Sequence, residues 1–269
     1  MKSRVCCLTT GVVLIVSAPL AAQWLNYPTA GIPRTPDGKP NLSAPTPRTP
    51  DGKTDFSGIW AAESRPCAPE GCQDLPVGEQ FFNIAHYLKE PLPYQKWTAD
   101  IVKARMADNA KDDPDSRCLP QGILKMHTAP LMRKIIQIPG LLVILNEKHA
   151  TYRQIFTDGR PLEADPQPSW RGYSTAHWDK DTLVVESNGF RDDIWLDRNG
   201  NFITEAGKLT ERFRRVNFGH LEVEVTVDDP KAYTKPWTVK LNQTLVPDTE
   251  LLDFFCAENE KDSSHLVGK

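Results

Sequence analysis

The chain has 269 residues, 39% of them hydrophobic and 25% charged, and its formal net charge at pH 7 is -3. This length suits one large globular domain or two small ones, and we favour one. Because nucleic-acid binding needs clustered positive charge, we do not expect a nucleic-acid partner. The one basic cluster, Arg212, Arg214 and Arg215, follows Glu211 and is expected on a solvated strand face.

The first residues have the pattern of a cleavable secretory signal. Lys2 and Arg4 precede an apolar run over residues 5 to 18, and small residues lead up to Ala22, after which we expect cleavage. The run is too short to span a membrane. We therefore predict a signal peptide over residues 1–22 and a periplasmic or secreted product without membrane insertion.

Four cysteines follow the predicted signal: Cys67, Cys72, Cys118 and Cys256. An even number in an exported protein favours two disulfides, for which three pairings are possible. The Pro- and Gly-containing spacing between Cys67 and Cys72 suits a local loop, which would leave Cys118 for Cys256. A zinc site is the alternative, but no close cysteine or histidine pairs accompany them, so no metal is predicted.

Residues 33–44 recur as residues 47–58, each copy beginning Pro-Arg-Thr-Pro-Asp-Gly-Lys. The proline content and Asp-Gly turns predict an extended arm over residues 23–54 that lies on a barrel, with Leu42 and Phe56 as equivalent anchors. A flexible linker is the alternative. A third interpretation makes the arm a docking strap for another protein of the cell envelope.

Residues 55–269 are predicted to form one β domain. Short segments with alternating hydrophobicity and turn signals fill residues 131–256 and give about ten strands, the last at 250–256. The hairpin around Pro139 is expected to be buried on both faces. Two helices are predicted near residues 81–88 and 96–110. This order favours an all-β fold, an antiparallel up-and-down barrel or a curved meander.

The tripeptide Gly58-Ile-Trp60 at the first strand resembles the Gly-x-Trp of lipocalin-type barrels, which implies a lipocalin-like architecture able to hold one small ligand. Long loops carry aromatic side chains beside carboxylates, which is typical of a pocket mouth. The candidate ligand-binding residues of these loops are Trp170, Phe190, Trp195 and Asp197. Folding of the same aromatic residues into a satellite core is the alternative.

Acid–base chemistry would need side chains that share one face. By strand alternation Tyr173 and His177 lie on the same face, with Asp158 near them, so these three are candidate catalytic residues. The scattered histidines contain no HxH or HExxH pattern, and no organic cofactor is implied.

Several motifs together resemble a family of exported bacterial proteins without an established activity. They include Thr157-Asp-Gly-Arg-Pro161, Trp170-Arg-Gly-Tyr-Ser174, Trp178 with Asp181-Thr-Leu-Val-Val-Glu186, and Cys256-Ala-Glu-Asn-Glu260. The resemblance adds Arg160 and Glu258 as ligand-binding candidates and Glu205 as a catalytic one. It also shows two departures, since that family usually has glycine in place of Lys180 and histidine in place of Ile203.

Two functions follow as expectations. The first is an exported β-barrel that binds a small, partly apolar ligand between the barrel mouth and the aromatic loops. The second is a cofactor-independent hydrolase, lyase or isomerase that uses His177 or Tyr173 with Asp158 or Glu205, and it requires these groups to converge on one pocket.

Overall fold

The structure is a computed structural model that describes residues 27–63, 78–258 and 261. The predicted signal peptide, Cys67 and Cys72 lie outside the described residues. No helix in the described ranges is long and apolar enough to cross a membrane.

Nine strands close into one barrel, and two further strands form a separate ribbon. The barrel strands are Gly58–Ala62 (β1), Arg133–Ile138 (β2), Leu141–Asn146 (β3), Thr151–Phe156 (β4), Tyr173–Asp179 (β5), Thr182–Asn188 (β6), Lys208–Arg215 (β9), His220–Asp228 (β10) and Trp237–Leu245 (β11), and the ribbon strands are Ile194–Trp195 (β7) and Phe202–Ile203 (β8). The order around the barrel is β1-β11-β10-β9-β6-β5-β4-β3-β2, and β2 pairs with β1 to close it. The all-β barrel prediction is confirmed.

Two details differ from the expected antiparallel barrel of about ten strands. First, β4 and β5 are parallel and meet at one pair, Phe156 opposite Thr175. The connection over residues 157–172 carries the chain back along the barrel, so β5 starts at the same end as β4. Second, residues 250–256 do not form the expected last strand. Because β10 and β1 occupy both edges of β11, that segment has no edge to join there.

The described helices are short. They are Glu79–Phe82 (α1), Lys96–Ala107 (α2) and Ile123–Thr128 (α3), with a 3-10 turn at Pro114–Arg117. The first predicted helix ends early, and α3 was not expected. All six residues of α3 are buried, because the helix closes one end of the barrel. There Arg133 donates to the Met126 carbonyl, and Gln243 donates to the His127 carbonyl at 2.9 Å.

The duplicated arm closes the opposite end. Within each copy the threonine nitrogen donates to the lysine carbonyl four residues later, at 2.9 Å in both, so the two copies fold alike. The arginine of each copy pairs with an aspartate, Arg34 with Asp248 just after β11 and Arg48 with Asp181 in the turn between β5 and β6. The copies therefore bind two different segments at one end of the barrel.

The two expected anchors are buried to different degrees. Phe56 is 0% exposed, stacks on Trp178 at 5.9 Å and meets Phe213 edge-on. Leu42 is half-buried and lies against Gly219, where an added Cβ would approach Leu42 Cβ to 2.4 Å. The second copy thus inserts into the core, and the first packs on its rim.

Side chains fill the interior between these two ends. In β10 the inward residues Leu221, Val223, Val225 and Val227 are each at most 2% exposed, and they alternate with polar residues that face water. The basic cluster differs from expectation, because Arg215 is buried and donates to the Asp55 and Phe218 carbonyls. The hairpin of β2 and β3 also differs, since Ile136 and Ile138 are 38% and 50% exposed on its outer face.

The hairpin turn between β5 and β6 contains Lys180, one of the two departures from the resembling family. Its φ is +55°, in the left-handed region that favours glycine. Ile203, the other departure, is fully buried in the ribbon of β7 and β8.

A disulfide joins Cys118 to Cys256, with Cα atoms 5.6 Å apart, and fastens the segment after β11 to the loop between the 3-10 turn and α3. This confirms one predicted pair, while the pairing of Cys67 with Cys72 stays a prediction. We expect peptide mapping without reduction to recover a Cys118–Cys256 linked peptide pair and a loop closed between Cys67 and Cys72. Any peptide linking Cys67 or Cys72 to Cys118 or Cys256 would contradict this pairing.

Candidate ligand-binding groove

The parallel seam between β4 and β5 is the least hydrogen-bonded junction of the barrel, and an external groove lies along it. Gly172 immediately precedes β5 with φ at +63°, and an added Cβ would lie 2.2 Å from the Asn188 carbonyl oxygen. Only glycine fits at this position without displacing the backbone. The close approach holds the backbone between Trp170 and Tyr173 against the end of β6.

Arg171 bridges the seam where backbone pairing is missing. Its guanidinium donates to the Tyr152 carbonyl at 2.9 Å and to the Thr151 hydroxyl at 2.7 Å. The side chain is only 8% exposed, and its Nε has no hydrogen-bond partner. The seam is therefore held by a buried cation in place of a continuous strand ladder.

The groove has a volume of about 380 Å³ and aromatic walls. Tyr152 and Phe156 of β4 line one side, and Trp170 and Tyr173 line the other. The Phe156 and Tyr173 rings lie 5.5 Å apart, and the Tyr152 side of the groove is open, since that residue is 64% exposed. A flat organic molecule of modest size fits such walls.

Charged side chains surround these rings. The Arg160 guanidinium lies 3.9 Å from the Phe156 ring centre and is paired with Asp158. Arg191 lies 4.9 Å from the Trp170 ring centre. Cations over aromatic faces hold those faces in place and make the rim polar.

A buried polar network lies beneath the groove, inside the barrel. Glu211 accepts from Arg153 through both carboxylate oxygens and meets His127 Nε2 at 2.9 Å. Arg153 also donates to the hydroxyls of Ser174 and Ser187, at 3.1 and 3.0 Å. Because Arg153 and Ser174 also line the groove, the network forms its floor.

The network carries a fixed charge pattern. Burial opposes ionisation of Glu211, but Arg153 and His127 outweigh it and lower the pKa of Glu211 to about 2. Burial lowers the pKa of His127 despite its contact with Glu211, so the imidazole is neutral at pH 7. The ion pair of Arg153 and Glu211 is therefore present throughout the neutral range. His127 and Glu211 are at most 2% exposed, so they position the floor and do not meet solvent.

Four of the residues predicted from sequence lie at the groove. Trp170 and Tyr173 line it, and Arg160 with its partner Asp158 stands at its rim against Phe156. Asp158 and Tyr173 both favour the protonated guanidinium of Arg160 and raise its pKa.

The other predicted residues lie elsewhere. His177 is exposed further along β5, and Glu205 is exposed and paired with Lys231. Glu258 is exposed in the turn after Cys256. Phe190 and Trp195 are 1% and 3% exposed, Phe190 in the loop after β6 and Trp195 in β7. The groove lining thus includes Tyr173 but not His177 or Glu205.

Asp197 has a structural environment within the loop after β6. It is 0% exposed and accepts hydrogen bonds from the backbone nitrogens of Ile84 and Asn201 and from the Asn201 side chain. Burial raises its pKa to about 6 against those hydrogen bonds. Its role is to join the loop to the segment after α1.

Sequence reasoning missed six residues of the site: Tyr152, Arg153, Phe156, Arg171, His127 and Glu211. A signal existed for two of them, because Arg153 and Glu211 occupy inward positions of alternating strands, where an apolar side chain is expected. His127 had no such signal, since it lies on a short helix that the pattern did not indicate.

Within residues 27–63, 78–258 and 261, no group of three or more histidine, cysteine, aspartate or glutamate side chains is placed to hold a metal ion. No protein-family model matches the sequence, and neither a curated protein nor a solved structure significantly matches the chain. Function must therefore be argued from the groove itself.

Proposed function

We propose that this protein binds a small, partly apolar organic molecule in the groove along the β4–β5 seam. The observation that carries the proposal is the set of four aromatic side chains around a cavity of about 380 Å³. Binding sites for small molecules have volumes of roughly 300–1,000 Å³ and mostly apolar walls with a few placed polar groups.

The position of the site differs from that of a lipocalin-type ligand. The arm and α3 cover the two ends of the barrel, and core side chains fill its interior. The seam offers a concave surface without opening the core, because β4 and β5 pair there at one position only, Phe156 with Thr175. A ligand would therefore lie on the barrel wall.

Binding is favoured over catalysis by the placement of the titratable groups. General acid–base catalysis needs a proton donor or acceptor within hydrogen-bond reach of the substrate. The buried His127 and Glu211 are shielded below the floor, and the lining of the groove contains no histidine or carboxylate. Tyr173 is the one predicted catalytic residue that lines it.

We also propose that the protein acts outside the cytoplasm, in the periplasm or after secretion. The apolar leader with its small-residue end and the Cys118–Cys256 disulfide support this location. An envelope partner for the arm remains a prediction. Both arginines of the repeat already pair with aspartates of this chain, so such a partner would have to use other groups.

The proposed site predicts a loss of affinity when one wall is removed. Tyr152→Ala should weaken binding of a groove ligand about tenfold, because it removes a stacking surface without disturbing the core. A thermal-shift screen of small aromatic compounds against the mature, disulfide-bonded protein would supply the ligand, and titration calorimetry would give the two affinities.

A matched control is Tyr27→Ala, which removes an aromatic side chain of similar exposure, 53% against 64%, from the arm. We expect this variant to bind as the wild type does. Equal affinities of the wild type and Tyr152→Ala for every compound found would refute the assignment of the site.

A further inference from the structure

The lining of the groove is cationic although the chain as a whole is slightly acidic. Two arginines, Arg153 and Arg171, belong to the lining, and no aspartate or glutamate does. The whole chain carries a formal net charge of -3. The local excess of positive charge is therefore a property of this site and not of the composition.

The two arginines differ in how their charge is balanced. Arg153 forms an ion pair with Glu211, which neutralises it. Arg171 makes no ion pair with any carboxylate of the described residues, and its hydrogen bonds go to a neutral carbonyl and a neutral hydroxyl. Buried charges in proteins are ordinarily paired, and Arg171, with its unfilled Nε donor, lines an open groove, so its guanidinium is a candidate partner for an anion.

The surroundings of Arg171 do not supply that anion. The nearby carboxylates are already engaged, Glu211 by Arg153 and Asp158 by Arg160. Arg191 adds a further cation beside Trp170. Burial and the charge of Arg153 lower the pKa of Arg171 only to about 10, so its guanidinium stays protonated at neutral pH.

We propose that the ligand is a small organic anion whose flat apolar body lies between Tyr152 and Trp170 and whose carboxylate or similar oxyanion is attracted to Arg171. This inference rests on the proposed binding function and names the chemical class of its ligand. Guanidinium and carboxylate groups match in geometry and charge, and the aromatic walls match a ring.

The test compares two probes of the same shape, 2-naphthoate and its neutral amide, 2-naphthamide, by titration calorimetry on the mature, disulfide-bonded protein. We expect the carboxylate to bind at least about tenfold more tightly than the amide at low salt. Arg171→Met should remove this preference, so that the two probes bind the variant with equal affinity.

Because Arg171 supports the seam, Arg171→Met also tests the fold, and Arg191→Gln provides a second variant that does not. Arg191 is exposed, so its loss should leave the fold intact and reduce the preference for the carboxylate about two- to threefold. Arg214→Gln, which removes a paired arginine from the outer face of β9, is the matched control and should change nothing.

Equal affinity for the two probes in the wild type would overturn the inference and leave the binding function standing. Binding of neither probe would also overturn it for this class of ligand. The proposed function would then be judged separately, by whether Tyr152→Ala weakens a neutral ligand from the screen. An unchanged carboxylate preference in Arg191→Gln and Arg171→Met would place the anion outside the groove and reject the role of Arg171.

Discussion

Glu211→Gln is expected to lower the free energy of unfolding by about 3–5 kcal/mol, because it removes the carboxylate that neutralises Arg153 inside the barrel. Glu211 is 0% exposed and accepts from Arg153 and His127. The amide can still accept a hydrogen bond, but the Arg153 charge would be left buried without a partner. Denaturant unfolding of the disulfide-bonded protein measures the loss.

The matched control is Glu224→Gln on the neighbouring strand, where the side chain faces water. We expect a change within about 0.5 kcal/mol there. A second comparison removes both charges in the double variant Arg153→Met, Glu211→Leu. We expect this variant to lose less unfolding free energy than Glu211→Gln alone, because no unpaired buried charge remains. A double variant less stable than the single one would show that the ion pair is not the cause.

The lowered pKa of Glu211 predicts how the difference in unfolding free energy between the wild type and Glu211→Gln depends on pH. The pKa of Glu211 is lowered from 4.5 to about 2 in the folded protein. A carboxyl group with a lowered folded pKa adds stability above its unfolded pKa and loses it as the pH falls towards the folded one. The gap between wild type and Glu211→Gln should therefore be constant near neutral pH and shrink as the pH falls from 4.5 towards 2.

Phe56→Ala is expected to lower the free energy of unfolding by about 3–5 kcal/mol, the cost of emptying a fully buried aromatic site. Phe56 stacks on Trp178 and meets Phe213, so its loss opens a cavity where the arm enters the core. The result distinguishes an integral arm from a linker, because removing a linker residue should cost almost nothing.

The internal duplication offers a matched comparison, since Leu42 holds the equivalent position in the first copy. Leu42 is half-buried on the rim, and we expect Leu42→Ala to cost about 1 kcal/mol. Denaturant unfolding of the two variants under the same conditions gives both values. A smaller loss for Phe56→Ala than for Leu42→Ala would reject the account of the arm.

The barrel could be predicted from sequence because its strands carry a strong period of two. The alternation of Leu221, Val223, Val225 and Val227 with polar residues determined which face is inward, and the structure agrees. The same reasoning failed for the hairpin of β2 and β3. Its continuous apolar run predicted burial on both faces, yet nothing among the described residues fully covers Ile136 and Ile138.

The groove could not be predicted in full, for a topological reason. Trp170 and Tyr173 were identified by their position in an aromatic loop, but Tyr152 and Phe156 lie on a strand that alternation alone assigns to an ordinary outer surface. They become groove walls only because β5 runs parallel to β4 and leaves a gap. The direction of β5 depends on the path of residues 157–172, which local sequence patterns do not determine.

The loop carboxylate Asp197 shows a different ambiguity of local sequence. Asp197 was predicted as a ligand-binding residue from its aromatic neighbours, and the structure engages it fully in hydrogen bonds within the protein. Polar residues that tie a long loop together and polar residues that bind a ligand have the same local sequence pattern. Only burial and hydrogen-bond partners in the structure distinguish the two kinds of residue.

A native mass spectrum of the exported, disulfide-bonded protein, recorded beside that of Tyr152→Ala, tests the central claim most directly. Our account predicts a small-molecule adduct on the wild type that is absent or much reduced on the variant, with an unchanged fold in both. An adduct retained equally by the two proteins would place the ligand elsewhere and contradict the assignment of the groove along the β4–β5 seam.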